Sequence, residues 1–405
     1  MLNSWLCMSD RQQLMSRLAI LYGLLFLITA FVITWRTPGL LNGARGIIGG
    51  DFLAFYTAAD MTLQGRALEA YDFSAFDAAL QTRAPSDQLG MMWQYPPVMF
   101  LLVSPLALFP YKVSYWIWMI ISAGFYAFAV FRLTRNTDAD RAVQVRAIAL
   151  ILAAPFCVGV FANGQISLLT AGLLMSAAYR PRSEWIFAGL AAGLLTIKPQ
   201  LGLLLPLAYI VVGAWRAFFL AAFLAVLMHG ASVAVYGPES LVSFYEAVTR
   251  LQADVAGSGL LTPPVNMTTL FGQLRHWGLD GNLAMAAQYG FAALVFLMVT
   301  NIWARKGSQP DRDLYLVALM SVGAILVTPY AYAYEMAALA PAALWITFER
   351  NRFQQFAPLI LVSFWTALVL HRFLPVDFII QLPFWVTIGV FGFLLSAART
   401  PAESH

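Results

Sequence analysis

The chain has 405 residues, of which 60% are hydrophobic and 11% charged, with a mean hydropathy of +0.72 and a formal net charge of +4. That balance leaves too few polar groups to cover a soluble surface, so it excludes a soluble domain and points to a polytopic membrane protein. The basic residues stand in short loops between apolar runs, where they report membrane orientation and argue against nucleic acid as a partner.

The first apolar run, 18–35, follows Arg11 and Arg17. The positive-inside rule sets the N-terminus in the cytoplasm and sends this run outward. No small-x-small cleavage site follows it, so it reads as a retained span. The first outer loop, 36–112, is the largest polar stretch of the N-terminal half. Within it, Phe52, Phe55, Tyr56, Ala59 and Leu63 fall at helical spacing, which predicts a helix lying at the membrane surface. Residues 96–110 open on Pro96-Pro97 and hold an apolar stretch too short for an ordinary span, so a re-entrant or interfacial helix is predicted. The next run, 113–131, is long enough to cross and ends at the basic cluster Arg132, Arg135, Arg141 and Arg146.

Further spans are predicted near 144–161, 166–180, 184–197, 199–213 and 216–236. A second outer loop follows at 237–281. Spans near 282–304, 313–328, 332–348, 355–371 and 378–398 complete the chain. The pair 184–197 and 199–213 is short for two crossings and also reads as one broken hairpin. The expectation is a single all-α membrane domain over 1–405, with about twelve spans and both termini cytoplasmic. No internal repeat is visible. Cys7 and Cys157 make neither a disulfide framework nor a metal cluster.

Polar residues gather at the outer ends of these spans. Asp51, in Gly49-Gly50-Asp51-Phe52, reads equally as a helix N-cap and as a reactive carboxylate. Asp60 lies nine residues on, about 180° around a continuous helix, so the two acids cannot serve one site unless the helix breaks. Asn163-Gly164-Gln165 reads first as a tight turn with positive φ at Gly164. Lys198 either snorkels to the headgroups or serves a function near membrane depth. Asn266, Thr268, Arg275 and His276 occupy the second outer loop, and a lone His276 makes no metal site. Glu335 follows Tyr330, Tyr332 and Tyr334, which also read as an aromatic belt beside a paired acid. Carboxylates, a lysine and an arginine on one face suit attack of an acceptor hydroxyl on a phosphate-linked group. A carboxylate takes the proton and a cation holds the departing phosphate. No Walker A sequence and no G-x-G-x-x-G fingerprint occurs, which argues against nucleotide donors.

Several short stretches, in order, resemble one family. They are Gly50-Asp51-Phe52 with Tyr56 and Ala59; Gly65 with Tyr71-Asp72; Tyr95-Pro96-Pro97 with Pro105, Pro110 and Tyr111; Gly164-Gln165; Lys198-Pro199; Asn266 with Gly272 and Arg275; and Thr328-Pro329-Tyr330 with Glu335 and Pro341. Together they resemble glycosyltransferase family 87, the polyprenol-phosphate-mannose-dependent α-mannosyltransferase type within the class C glycosyltransferases. The resemblance implies a GT-C helical bundle with a cavity open to the periplasmic side of the inner membrane. It implies a polyprenyl-phosphate sugar donor, most often mannose, a lipid or glycan acceptor, and no cofactor or metal. Asp51 matches the catalytic base. Lys198 and Arg275 are candidates for the lipid phosphate, with Gln165, Asn266, Tyr95, Glu335 and Asp60 as further substrate-binding candidates. Glu335 departs from the family's frequent aspartate or histidine, and Thr268 from its frequent serine. A transporter or flippase of lipid-linked sugar is the competing expectation. Repeat symmetry and mid-membrane polar groups would mark it.

Overall fold

The computed structural model describes residues 10–41, 47–84, 91–135, 141–256, 267–307, 309, 312–348 and 381–398. Among them all regular structure is helical. The only β-type pairings there are two isolated bridges, Leu41 with Ile47 and Met267 with Tyr332. The predicted span at 355–371 lies outside the described residues.

Helix α1 (Asp10–Arg36) leads into three shorter helices, α2 (Phe52–Leu63), α3 (Phe73–Gln81) and α4 (Val98–Val103), before the long α5 (Tyr111–Thr134). Asp72 caps α3, its carboxylate accepting from the Ala75 N–H at 2.8 Å. Helix α4 starts just after Pro96-Pro97 and continues as a 3₁₀ turn, Ser104–Leu108. Those eleven residues, Val98–Leu108, rise about 16 Å, half of a hydrocarbon core of about 30 Å.

Helix α2 does not present a single apolar face, as its spacing predicts, but is enclosed by protein on more sides than one. Phe52, Leu53, Phe55, Ala58 and Met61 are all buried, which is more than one face, and Leu63 is 50% exposed. The cause is tertiary: α3, α4 and the 3₁₀ turns Ala67–Tyr71 and Ser104–Leu108 wrap around α2.

The predicted span 144–161 is broken. Helices α6 (Arg141–Leu152) and α7 (Pro155–Asn163) meet at a bend of 53°. Pro155 lacks an N–H and its ring displaces the carbonyl one turn back, so the helix cannot run through. Helix α8 (Ser167–Ala178) follows, then α9 (Trp185–Leu194), α10 (Leu205–Val212) and α11 (Trp215–Tyr236). Between α9 and α10 the chain makes two 3₁₀ turns, Leu195–Ile197 and Pro199–Leu201, with Lys198 at the junction. This is the broken hairpin. The region 237–281 carries an 18-residue helix, α12 (Glu239–Ala256), and α13 (Leu270–His276). Helices α14 (Gly281–Lys306), α15 (Asp313–Val327), α16 (Ala340–Phe348) and α17 (Leu382–Ala398) complete the described chain.

Four helices among the described residues are long and apolar enough to cross a bilayer alone: the stretch 17–36 of α1, then α5, α11 and α14. The bent pair α6–α7 makes a fifth if it counts as one span. The other apolar helices are shorter than a full crossing, so the count of about twelve is not reached by length and composition alone. Helix α15 is the centre of the packing. Every residue from Leu314 to Val327 is buried, against α8, α14, α16 and α17.

Loops from distant parts of the chain meet at one end of this bundle. These are the turn before α2, the α7–α8 turn, the Lys198 junction and the segment after α15. At the opposite end Arg132 pairs with Glu184 and Arg180 with Asp313.

Candidate functional site

Asp51 occupies the N-cap position of α2 without acting as a cap. Its backbone is already helical (φ −67°, ψ −16°) and its side chain makes no cap hydrogen bond. The first-turn N–H groups go elsewhere. Phe52 donates to the Gly49 carbonyl at 2.6 Å and Leu53 to the Gly50 carbonyl at 3.2 Å. Both glycines have positive φ, +74° and +40°, a region closed to most other residues. The glycine pair therefore frees the carboxylate from its usual structural task.

The side chain of Asp51 instead meets Gln165, whose Nε2 donates to Asp51 Oδ2. Gln165 stands directly after Gly164, which ends α7 in the left-handed conformation at φ +63°. The predicted turn is present. A Cβ at Gly164 would lie 2.4 Å from the Phe52 Cβ and 2.8 Å from the Gly49 carbonyl oxygen, so glycine is what lets the two turns touch. The first half of α5 pins both from behind. Tyr111 donates to the Ile48 carbonyl at 2.6 Å, Tyr115 to Phe161 at 2.7 Å, and the Trp118 indole to Gly164 at 3.2 Å.

Two residues past Gln165, the Ser167 hydroxyl donates to Glu335 Oε1 at 3.1 Å. The same carboxylate oxygen receives the Lys198 ammonium in a buried ion pair, with side chains 2% and 9% exposed. Lys198 therefore does not snorkel. Its ammonium also lies over the Tyr334 ring, 5.5 Å from the centroid. The residues 165–167 thus contact both acids, Asp51 through an amide and Glu335 through a hydroxyl.

Burial pushes the Asp51 carboxyl above the ordinary carboxylate range, opposed by the Gln165 hydrogen bond and then by the charge of Lys198. The result is a carboxylate with raised basicity and a cation in electrostatic reach. Tyr95 belongs to the same neighbourhood. Its phenol is pushed well above its usual range by burial, then by the negative charges of Glu335 and Asp51. Its ring packs on Phe55 and Trp93 at 5.1 and 5.2 Å, and its carbonyl accepts from Tyr71 at 2.8 Å.

The remaining predicted residues divide. Asp60 sits at the far end of α2, paired with Arg83 and accepting from Gln64 at 2.6 Å, beside a cavity of about 300 Å³ between α2 and α3. The structure does not join it to Asp51. Arg275 lies in the last turn of α13 and donates to the Leu279 carbonyl at 3.0 Å, so its guanidinium closes its own helix end. Asn266 lies outside the described residues. Its neighbours are stitched to the Glu335 segment: Thr268 donates its N–H to the Ala331 carbonyl at 2.7 Å, and the Thr269 hydroxyl donates to Pro329 at 3.0 Å. No group of three or more metal-ligating side chains occurs among the described residues.

Sequence reasoning missed the link between Gln165 and Asp51, which are 114 residues apart. The visible signal was two glycine-containing turns, each beside a polar side chain in an apolar context.

The family model of glycosyltransferase family 87 matches residues 93–329, which is more than half of the chain. No curated protein and no solved structure matches.

Proposed function

The chain belongs to glycosyltransferase family 87 and is a membrane glycosyltransferase; we propose that it moves a hexose, mannose by preference, from a polyprenyl-phosphate donor to a hydroxyl of a lipid or glycan acceptor. The observation that carries this reading is the state of Asp51. It is a carboxylate released from capping, made more basic by burial and faced by the charge of Lys198.

In the proposed reaction Asp51 takes the acceptor's hydroxyl proton as the acceptor oxygen attacks the anomeric carbon. The bond from that carbon to the phosphate oxygen breaks, and its electron pair leaves with polyprenyl phosphate. The sugar inverts in one displacement. Lys198 stands where it can leave Glu335 and stabilise the negative charge that develops on the phosphate. The lipid tail of such a donor runs between helices, which accounts for a catalyst embedded in a bilayer. Charge placement favours a site facing outward, which on this reading is the periplasmic side, because Arg132, Arg180 and Arg182 stand at the opposite end of α5 and α8.

The test is transfer from radiolabelled polyprenyl-phosphate mannose into membrane lipids, comparing wild type with Asp51→Asn at equal folded protein. A loss of about 10²–10⁴-fold is expected for removal of a general base. Undiminished transfer by Asp51→Asn overturns the assignment.

A further inference from the structure

The reading above needs Asp51 to present one basic oxygen in a set direction, and nothing in its own helix provides that. We infer that Gln165 is a positioning residue: it holds one oxygen of Asp51 so that the other alone receives the acceptor's proton. The inference rests on Asp51 being the base.

Four observations carry it. First, the orientation of the Gln165 amide is determined. Its Oε1 accepts the Ile166 N–H at 3.3 Å, and its Nε2 donates to Asp51 Oδ2. A flipped amide would set oxygen against carboxylate and lose both bonds. Second, Gln165 is 6% exposed, so its amide has little access to solvent and its hydrogen bonds are made within the protein. Third, the contact is built by the fold. Gly164 takes a backbone conformation that brings residues 163–165 against residues 49–52, and Trp118 fixes the Gly164 carbonyl. Fourth, among the described residues no hydrogen bond falls on Asp51 Oδ1, and Asp51 is only partly buried by surface exposure. One oxygen is committed and one is open.

The chemical type of the partner matters. A cation bonded directly to Asp51 would hold its proton affinity down and weaken it as a base. The one lysine near it is tied to Glu335, leaving a neutral amide on the base. The charged and titratable groups facing Asp51 are Lys198, with Glu335 behind it, and the phenols of Tyr95, Tyr111 and Tyr334. None of these is altered by a change at Gln165, so a shift seen there reports the amide.

The experiment is the pH profile of kcat, and the KM for polyprenyl-phosphate mannose, for wild type, Gln165→Met and Gln165→Glu in detergent-purified full-length protein. Wild type should lose activity on the acid side as Asp51 protonates. Gln165→Met, similar in size but without the amide, should move that limb upward by about one pH unit, because the lost bond favoured the charged form. Its plateau kcat should fall about tenfold, with KM for the donor nearly unchanged. Gln165→Glu should move the limb further still, because two carboxylates then share one site. If Gln165→Met does not fold, the Gln165→Glu profile decides alone. An unmoved limb with a raised donor KM would overturn the inference and make Gln165 a substrate ligand. Failure of the underlying reading looks different: Asp51→Asn would then keep wild-type transfer, whatever the Gln165 variants do.

Discussion

The Lys198–Glu335 pair supports a quantitative prediction that separates stability from chemistry. Removing the ammonium by Lys198→Met leaves the Glu335 carboxylate, 2% exposed, with the Ser167 hydroxyl at 3.1 Å as its remaining hydrogen-bond donor. Breaking one partner of a buried pair costs about 3–5 kcal/mol, whereas replacing both by well-packed neutral groups is close to neutral. Lys198→Met should therefore lower the folded-to-unfolded ratio by about 10²–10⁴-fold. The double variant Lys198→Met with Glu335→Leu should recover most of that loss. The assay is unfolding of the purified protein in graded dodecyl maltoside and sodium dodecyl sulfate, followed by tryptophan fluorescence, across the four members of the cycle. Transfer should behave differently. It should stay lost in the double variant, because the cation proposed for the leaving phosphate is still absent. A double variant as unstable as Lys198→Met would refute the coupling. A stable double variant that transfers normally would refute the role of Lys198.

Other expectations follow from the same geometry. Asp51 has its folded proton affinity raised, so its ionisation costs stability above the folded pKa and costs nothing below the unfolded one. Asp51→Asn should accordingly raise the thermal aggregation temperature at neutral pH, and the gain should vanish as pH falls below the ordinary carboxylate range. Gly164→Ala should destabilise by about 2–4 kcal/mol, from the left-handed backbone and from overpacking against Phe52, and should depress transfer with it. Unfolding curves and transfer rates measured together check this. Asp60→Asn should leave transfer within a few-fold of wild type and cost about 1 kcal/mol, at the upper end for exposed pairs, since Arg83 and Asp60 are partly buried at 22% and 27% exposure. A large loss of transfer there would bring the α2–α3 cavity into the site.

The membrane class and the long helices were legible because composition and run length report them directly. The predicted spans 113–131, 216–236 and 282–304 fall within α5, α11 and α14, with ends differing by three residues at most. The break at Pro155 was hidden by an apolar run that continues on both sides of it. Helix α2 was legible as a helix but its enclosure was not, because periodicity shows one apolar face and cannot show that neighbours cover the others. Helix α12 went unread because its polar half resembles a loop. At the site, the 180° separation of Asp51 from Asp60 followed from helix geometry alone, and the two acids have separate partners. The pairing of Lys198 with Glu335 spans 137 residues, and no local pattern encodes it. Arg275 was legible as a cation of the second outer loop, whereas its bond to the Leu279 carbonyl depends on how α13 ends.

The enclosure of α15 bears on depth. Fifteen residues rise about 22 Å, roughly 8 Å less than a hydrocarbon core. A helix touching lipid along its length would have to tilt the bilayer inward to meet it, but α15 touches only protein. Its shortness is therefore absorbed inside the bundle, where the chain continues into the buried 3₁₀ turn Ala333–Leu339. Glu335, eight residues beyond Val327, stands buried in that turn, 2% exposed and paired with Lys198. On the proposed reading, a donor phosphate that engages Lys198 would do so beside an ion pair already removed from water, and water excluded there could not compete with the acceptor for the sugar.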